Sequence, residues 1–400
     1  MWLLRPFSWI YAAIMAIRNF LFDHSILKEQ QFPIPTVSVG NLSVGGTGKT
    51  PHTEYLLRLL QKSGLQCATL SRGYGRMSHG FRWVSECKSA IEAGDEPWQL
   101  QNKFPAVRVS ACEDRCEGMR HILSESPDVK AVILDDAFQH RYIKPGLSVL
   151  LTDYSRPYYS DCVLPEGRLR ENKSGARRAD IIVVTKCPDV LSEEEQQQII
   201  HRLRPLPHQQ VFFSRIHYGD LQPAVGERNE NLRAGKNDVV GKEKEVGPLS
   251  EEAGPLHEEV GHLYEDNGHL SKALGHLSES VPQIEKNREK YTTDSPLLLC
   301  GIANPRPLEA YLRQRFPALR TKFFADHHNF GENELKVLEN EKMIITTEKD
   351  LARISALHLY NNIKERLFVI PIDIQFVSDR QQEIFNQTII NYVRENTRNC

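Results

Sequence analysis

The sequence lacks a surplus of charge of either sign. Its 400 residues contain 50 Lys and Arg against 52 Asp and Glu, which gives a formal net charge of −2. A chain this close to neutrality has no overall field that would attract it to nucleic acid. We therefore expect no nucleic-acid partner, and an anionic ligand needs a local cluster of basic side chains. The sequence also carries no signal for an obligate protein partner.

Closely spaced cysteines are also scarce. Among eight cysteines, only Cys112 and Cys116 lie within a few residues of each other. No second pair completes a structural zinc site of the usual spacing. The pattern favours a chain whose thiols stay reduced, as they do in the cytosol.

Apolar runs are too short to cross a membrane. In the apolar segment 1–22, the uncharged run between Arg5 and Arg18 holds twelve residues. As a helix it covers about 18 Å of a hydrocarbon core of roughly 30 Å. We predict that residues 1–24 form a membrane-associating helix in the plane of the surface, and the alternative is a helix buried on the protein itself. The residues expected to meet lipid are Trp2, Trp9, Phe20, Phe22, Arg5 and Arg18.

Short β-branched runs alternate with helix-like stretches over the first half of the chain. Such alternation predicts an α/β fold with a mostly parallel sheet and helices on both faces. The functional edge should lie at the carboxyl ends of the strands. The predicted strands are Thr36–Gly40, Cys67–Gly73, Val107–Ala111, Ala131–Asp136, Leu147–Asp153 and Ile181–Lys186.

The middle of the chain has a different texture. A seven-residue repeat runs from Gly247 to Val281, and each copy opens with Gly. Because only one strong apolar position recurs, the repeat favours a flexible insertion over a coiled coil. We predict a P-loop core over 25–218, an insertion over 219–292, and a smaller α/β lobe over 293–400 whose last helix packs back on the core.

The strongest local signal is a strand that opens through glycines into a helix, Val37 to Thr50. Glycines let main-chain amides close around phosphate oxygens, Lys49 neutralises phosphate charge and the Thr50 hydroxyl can hold Mg²⁺. Ser43 stands where the strict P-loop pattern has its first Gly. The predicted nucleotide-binding residues are Ser43, Val44, Gly45, Gly46, Thr47, Gly48, Lys49 and Thr50.

Acidic and basic clusters accompany this loop. Asp135 and Asp136 end an apolar strand, where a P-loop protein positions its metal. Gly94–Pro97 places two carboxylates at a helix start, although these could merely cap it. The segment 164–178 gathers basic residues that could hold an anionic substrate or a membrane surface.

Seven motifs define a more specific pattern: SVGNLSVGGTGKT (38–50), SRGYGR (71–76), GDEP (94–97), LDDAFQH (134–140), LPEGRLRE (164–171), FADHHNF (324–330) and TTEKD (346–350). Together they resemble the tetraacyldisaccharide 4'-kinase family, the lipid A kinases of Gram-negative bacteria. The resemblance covers nearly the whole chain except 219–292. Ala137 stands where the family often has Gly, a change that removes little chemistry.

The resemblance implies a P-loop kinase core, a second lobe and a defined reaction. The enzyme would use ATP and Mg²⁺ to phosphorylate the 4'-hydroxyl of a lipid disaccharide 1-phosphate, giving lipid IVA. It would work at the cytoplasmic face of the inner membrane. By position, Asp95 matches the catalytic base and His327 its partner, which lobe closure would bring together. The implied metal residues are Thr50, Glu96, Asp135, Asp136 and Gln139.

Further residues are candidates for the lipid phosphate or the nucleotide, against ordinary surface packing: Arg72, Tyr74, Arg115, Arg168 and Glu171. Two other functions remain open from the residues alone. Val184–Asp189 contains a T-K-x-x-D echo of a guanine-reading motif, which would fit a GTPase switch or metallochaperone. A noncatalytic membrane adaptor is the third possibility, although so many carboxylates around a polyphosphate argue against it.

Overall fold

The structure is a computed structural model that describes residues 4–224, 295–326, 328–355 and 357–397. The repeat predicted as a flexible insertion therefore lies outside the described residues. Residues 1–224 and 296–400 belong to one compact unit. It is an α/β unit with one large and one small sheet, as the alternation of strands and helices predicts.

Strands occur throughout this unit, and the six predicted runs all coincide with strands. The strands are β1 (Thr36–Asn41), β2 (Cys67–Ser71), β3 (Arg82–Trp83), β4 (Arg108–Ala111), β5 (Ala131–Asp135), β6 (Leu147–Asp153), β7 (Ile181–Thr185), β8 (Gln210–Tyr218), β9 (Gln222–Pro223), β10 (Leu297–Cys300), β11 (Arg320–Phe323), β12 (Ile344–Thr347), β13 (Leu367–Ile370) and β14 (Ile372–Phe376).

The large sheet has the order β14-β8-β7-β6-β1-β5-β2-β4-β3. Its seven central strands run parallel, and only the edge strands β14 and β3 are antiparallel. Because parallel strands end at the same edge, the segments that follow β1, β2, β5, β6 and β7 meet there. That edge holds the phosphate loop.

The helices of the described residues are α1 (Arg5–Asp23), α2 (Lys49–Lys62), α3 (Ala90–Ala93), α4 (Asp95–Lys103), α5 (Arg115–Glu125), α6 (Glu193–Leu203), α7 (Arg306–Arg315), α8 (Glu332–Lys336), α9 (Glu348–Ile354), α10 (Tyr360–Ile363) and α11 (Asp379–Thr397). Leu57 of α2, Leu100 of α4 and Phe385 of α11 join one buried cluster on one face of the large sheet. Met119 of α5 and Leu203 of α6 belong to clusters formed by strand residues of the other face. Helices therefore cover both faces.

The small sheet has the order β11-β10-β12-β13-β9, with only β9 antiparallel. The chain passes between the two sheets at Gly219 and again at Pro371. These passages are adjacent, because the Gly219 amide donates to the Pro371 carbonyl at 2.9 Å. Two strands lie elsewhere than the predicted boundaries place them: β9 (222–223) belongs to the small sheet, and β14 (372–376) belongs to the large one. The last helix, α11, packs on the large sheet, and the predicted organisation has it packing back on the core.

Helix α1 packs on the rest of this unit through few side chains. Phe22 is 3% exposed and the Tyr11 hydroxyl donates to the Arg170 carbonyl at 2.9 Å. Within the described residues, no helix is long and apolar enough to cross a membrane. The large apolar residues of α1 and its preceding residue lie 42–70% exposed: Leu4, Phe7, Trp9, Ile10, Ile14, Ile17 and Phe20.

Three of the predicted lipid contacts of this helix differ from the structure. Phe22 is buried, so it does not face lipid. Arg5 pairs with Glu166 at 2.7 Å, and Arg18 donates to the Gln139 carbonyl at 3.2 Å. Both guanidinium groups turn toward the protein because acceptors of the neighbouring loops lie within their reach. Trp2 lies outside the described residues.

Candidate active site

The candidate site begins where β1 turns into α2. Strand β1 ends at Asn41, and α2 begins at Lys49 after a glycine-rich loop. Gly45 and Gly48 have φ values of +104° and +88°, a region that residues with a Cβ rarely adopt. The loop thus curls around the amino end of α2, where unpaired amides and the helix dipole favour an anion.

Polar contacts with residues of β1, β7 and α2 fix the shape of this loop. The Asn41 amide donates to Thr47 Oγ1 at 2.8 Å, and the Thr185 hydroxyl donates to the Thr47 carbonyl at 2.9 Å. His52 Nδ1 lies 2.7 Å from the Gly48 carbonyl. Burial lowers the pKa of His52 to about 4, so the ring is neutral at pH 7 and its Nδ1–H donates. The loop is therefore held before any ligand arrives.

The first two residues of the predicted cradle have other partners. The Val44 amide donates to the Arg168 carbonyl at 2.8 Å, and Ser43 forms an isolated bridge with Leu169. The Val44 amide is thus directed at the 164–171 segment and not at a phosphate. This differs from the predicted cradle, because pairing with that segment satisfies the start of the loop. Gly45–Thr50 remains as the part of the loop that is predicted to bind an anion.

Two carboxylates stand beside this loop at the end of β5. Asp135 is 2% exposed, and its Oδ1 accepts from the Thr53 hydroxyl at 3.0 Å. Burial and then the neighbouring carboxylates of Glu96 and Asp136 raise the pKa of Asp135 to about 7. Asp136 Oδ1 lies 3.8 Å from Lys49 Nζ. The site therefore gathers more negative charge than Lys49 alone offsets.

Gln139 lies next to these acids but is already bonded. Its Nε2 donates to the Asn41 carbonyl at 2.8 Å, and its Oε1 accepts from Arg170 at 3.3 Å. Arg170 also donates to both oxygens of Asp136, at 3.0 and 3.1 Å. Within the described residues, no group of three His, Cys, Asp or Glu side chains forms a metal site on its own.

Glu171 was predicted to contact substrate, and the structure gives it a different position. It is 1% exposed, accepts from Arg178 at 2.7 Å and accepts from the Asn19 amide at 2.8 Å. In the structure its carboxylate is thus directed at protein partners and not at the surface. Its contacts join helix α1 to the loop that carries Gln139, since Gln139 donates to Glu171 at 3.1 Å.

Arg115 was also predicted to contact substrate and is 1% exposed. Its guanidinium donates to the Cys112 carbonyl at 2.7 Å and to the Asp135 carbonyl at 3.4 Å. Burial lowers the pKa of Arg115 to about 10. The side chain thus supports the end of β5 from inside the protein. Arg72, Tyr74 and Arg168 are exposed, and Tyr74 is 75% exposed.

The GDEP motif opens helix α4 and faces α9. Arg353 donates to Asp95 Oδ2 through Nε at 2.8 Å and approaches it through a terminal nitrogen at 2.7 Å. Lys349 Nζ lies 4.0 Å from Glu96 Oε1. His327, the predicted partner of Asp95, lies outside the described residues. The motifs GDEP and TTEKD, far apart in sequence, are therefore neighbours in space.

Two arginines of this site were not predicted from the sequence. Arg170 lies inside the quoted LPEGRLRE motif, so its motif was found but its partner Asp136 was not. Arg353 follows TTEKD by three residues and carries no motif signal. Helix α9 turns it onto the same side as Asp350, whose Oδ1 is 3.3 Å away. A basic residue one turn after a motif is recognised only when its acidic partner is known.

The T-K-x-x-D echo lies at the end of β7. Lys186 donates to the Gly46 carbonyl of the phosphate loop and pairs with Asp153 at 2.9 Å. Asp189 follows, and its carbonyl accepts from Arg215 at 2.8 Å. Lys186 therefore braces the loop, in agreement with its place at the functional edge of the sheet.

The glycine loop on a parallel strand, the lysine at the helix start and the acids at the adjacent strand end define a P-loop phosphotransferase. A family model described as tetraacyldisaccharide-1-P 4'-kinase matches residues 1–241 and 253–393. The chain belongs to the tetraacyldisaccharide-1-P 4'-kinase family and is a kinase of lipid A biosynthesis. The family model also matches parts of 219–292, up to residue 241 and again from residue 253, so the resemblance covers more of the chain than the motifs indicate. Because the family is a kinase family, it argues against a GTPase switch, a metallochaperone and a noncatalytic adaptor.

Similar proteins agree along the whole length. The tetraacyldisaccharide 4'-kinase of Bacteroides thetaiotaomicron is 39% identical over 408 residues, covering 99% of this chain and 94% of the relative. That of Flavobacterium johnsoniae is 38% identical over 397 residues, covering 98% and 97%. The crystal structure of LpxK from Aquifex aeolicus in complex with ATP matches with a TM-score of 0.63, 25% identity and 98% coverage of both chains.

Proposed function

We propose that this kinase binds ATP at Gly45–Thr50 and transfers its γ-phosphoryl group to the 4'-hydroxyl of tetraacyldisaccharide 1-phosphate at a membrane surface. One observation carries the proposal: Lys49 and three carboxylates converge on a glycine loop at the start of a helix. A triphosphate supplies the anion that the loop and Lys49 are built to hold.

Magnesium fits the donors of this site. Glu96 and Asp136 raise the pKa of the buried Asp135, so a divalent cation would relieve the repulsion among the three. Mg²⁺ is usually held by one or two carboxylates together with substrate phosphates. When bound, it neutralises charge that develops on the transferring group. The residues that would hold it are Thr50, Glu96, Asp135 and Asp136, with Gln139 reaching it only after leaving Arg170.

The proposed reaction needs alignment and a proton acceptor. The 4'-oxygen forms a bond to the γ-phosphorus, the bond from that phosphorus to the β–γ bridging oxygen breaks, and ADP leaves with the electron pair. The hydroxyl proton passes to Asp95. Because the transition state is loose, proton acceptance is late and a weak base suffices. His327 as the partner of Asp95 stays a prediction.

Transfer of label from γ-labelled ATP to tetraacyldisaccharide 1-phosphate tests this assignment. Asp95→Asn should lower kcat by about 100-fold or more, since a positioned base contributes that much. Lys49→Met should raise the Kd for ATP, and chelation of Mg²⁺ should abolish transfer. Arg394→Met on α11 is the matched surface control and should retain transfer. Unchanged kcat in a folded Asp95→Asn protein would contradict the base assignment.

The proposed membrane surface is the apolar face of α1. Phe7, Ile10, Ile14 and Ile17 recur at spacings of three and four and are 58–63% exposed, so they share one side of the helix. Each fully buried apolar side chain stabilises binding by roughly 1.5–3 kcal/mol. Four such residues hold the enzyme at the surface where its acylated substrate resides. We propose that this surface is the cytoplasmic face of the inner membrane.

Co-sedimentation with phospholipid vesicles tests this surface. Replacing Phe7, Ile10, Ile14 and Ile17 by Ser should move the enzyme from the vesicle pellet to the supernatant. Activity on a water-soluble substrate analogue should remain, because none of the four contacts the phosphate loop. Replacing four exposed polar residues of α11 by Ser provides a control of equal extent. Continued sedimentation of the α1 variant would exclude the helix as the anchor.

A further inference from the structure

Helices α4 and α9 face each other through charges of opposite sign. Asp95 and Glu96 at the start of α4 lie near Arg353 and Lys349 of α9, at 2.7 and 4.0 Å. At the end of α4, Lys103 Nζ lies 2.7 Å from a carboxylate oxygen of Glu348 at the start of α9. The two helices are thus antiparallel and complementary along their whole contact.

Arg353 forms the most buried of these pairs. Its side chain is 4% exposed, and both of its contacts with Asp95 fall on Oδ2. Two guanidinium nitrogens on one carboxylate oxygen hold that oxygen in place from two directions, a geometry that the single ammonium group of a lysine does not reproduce. Arg353 therefore holds the Asp95 carboxylate directly, through Oδ2.

The other side of Arg353 is anchored to the small sheet. Its NH1 donates to the Gly301 carbonyl at 3.4 Å and to Asp350 Oδ1 at 3.3 Å. Asp350 Oδ2 in turn accepts from the Gly301 amide at 3.0 Å. A Cβ placed on Gly46 of the phosphate loop would lie 3.9 Å from Ala303 Cβ. The segment that holds Arg353 therefore also approaches the phosphate loop.

The far end of α4 is held to the P-loop helix. Lys103 Nζ lies 2.7 Å from Glu54 Oε2, and the Gln99 amide donates to Glu54 Oε1 at 3.0 Å. Glu54 is 1% exposed, so this attachment is sheltered from solvent. Because α4 is fixed to α2 at one end, a contact at its other end sets where Asp95 points.

We propose that Arg353 is a positioning residue for phosphoryl transfer. From helix α9, which follows strand β12 of the small sheet, it orients the Asp95 carboxylate. The inference rests on the proposed role of Asp95. Arg353 contacts Asp95 directly, and we infer that it acts on phosphoryl transfer through this carboxylate. Displacing a reacting group by about 1 Å can cost about 100-fold in rate.

Steady-state kinetics of Arg353 variants test the inference. Arg353→Met should lower kcat by about 100-fold while the KM for ATP changes less than about two-fold, because ATP binding and base orientation are separate. Arg353→Lys keeps the charge but loses the two-nitrogen geometry, and it should recover about ten-fold of that loss. Arg366→Met is the matched control: Arg366 donates to the carbonyls of Glu339 and Glu341 in the same sheet region, and its kcat should stay near wild type.

A second variant guards against misfolding. Asp350 is fully buried, so Arg353→Met leaves it without the guanidinium beside it. The double variant Arg353→Met with Asp350→Asn removes that charge and should fold, with the same loss of kcat. Wild-type kcat in a folded Arg353→Met or double variant overturns the inference, as does an equal loss of kcat in Arg366→Met.

Different results would contradict the role of Asp95 as base and the role of Arg353 as positioning residue. If Asp95→Asn retains kcat, the proposed role of Asp95 is wrong and the inference falls with it. If Asp95→Asn loses kcat but Arg353→Met does not, Asp95 keeps its role and Arg353 does not orient it. Addition of the Arg353→Met change to Asp95→Asn should lower kcat no further, since the two act on one step.

Discussion

The two terminal helices of this kinase are equal in length but opposite in packing. Helices α1 and α11 each contain 19 residues. Helix α11 buries Phe385, Ile389 and Val393 in the cluster under the large sheet, whereas α1 buries only Ser8 and Phe22. Helix α11 is thus part of the folded core, whereas most large apolar side chains of α1 are exposed. The contrast shows that apolar content alone does not tell a core helix from a peripheral one.

The largest effect on stability is expected at Phe385. Its ring lies 4.8 Å from that of Phe376 and 5.4 Å from that of Phe212. Phe385→Ala should lower the free energy of unfolding by about 3–5 kcal/mol, because it opens a cavity in a packed cluster. Chemical denaturation measures the change. A loss below about 1 kcal/mol would mean that α11 is not part of the core.

The same substitution in α1 should cost less. Phe22 packs on the edge of Tyr142 at 5.1 Å and under the Arg141 guanidinium at 4.9 Å. Phe22→Ala should cost about 1.5–3 kcal/mol, which is the value of burying one such side chain. Denaturation beside the Phe385 variant gives the ranking. A larger loss for Phe22 than for Phe385 would reverse the comparison.

The contact between α2 and α4 should also respond to pH. Burial and the neighbouring Glu348 raise the pKa of Glu54 to about 7, from an ordinary value of 4.5. The groups that face Glu54 are Lys103, Glu348 and Arg58, and Arg58 also pairs with Asp373 of β14 at 2.5 Å. The folded state therefore holds a proton that the unfolded state has lost between pH 4.5 and 7.

Stability contributed by Glu54 is consequently full below pH 4.5 and is lost as pH rises toward 7. Relative to Glu54→Gln, the wild-type protein should lose about 2 kcal/mol of unfolding free energy between pH 5 and pH 7. Denaturation at both values gives the difference between the two proteins. Parallel pH profiles would show that Glu54 titrates normally.

The smallest effect is expected on the exposed side of α1. Replacement of Phe7, Ile10, Ile14 and Ile17 by Ser should change the unfolding free energy of the large-sheet core by less than about 0.5 kcal/mol per site. These side chains are already in contact with solvent. Thermal unfolding without lipid measures the effect. A large destabilisation would show that this face packs on the protein, which was the alternative considered from the sequence.

Much of the fold was predictable because its signals are local. Six β-runs, the glycine loop and the acidic end of β5 each lie within a few residues. The pairing of β14 with β8 was not predictable, since Tyr218 and its partner in the sheet, Ile372, are 154 positions apart. Nothing in either segment specifies the other, and their pairing depends on the tertiary structure.

The site was predictable to the extent that its residues belong to motifs. Lys49, Asp135 and Asp136 belong to two such motifs and lie close together beside the glycine loop, and their catalytic roles stay predictions. Arg115 and Glu171 were misassigned because charged side chains in a motif suggest a ligand, whereas here each supports a neighbouring element from a buried position. Burial is a property of the tertiary structure, and a single sequence does not report it.

The adjacent passages at Gly219 and Pro371 have a consequence for the architecture. The chain leaves the large sheet at Gly219 and returns to it at Pro371, and these two points are adjacent, so the small sheet is an insertion in the large-sheet fold. An insertion whose ends are adjacent can lengthen, shorten or change its loops while the large sheet keeps its strand order. Loops of the small sheet can therefore vary without disturbing the large sheet, as long as α9 keeps Lys349 and Arg353 beside α4.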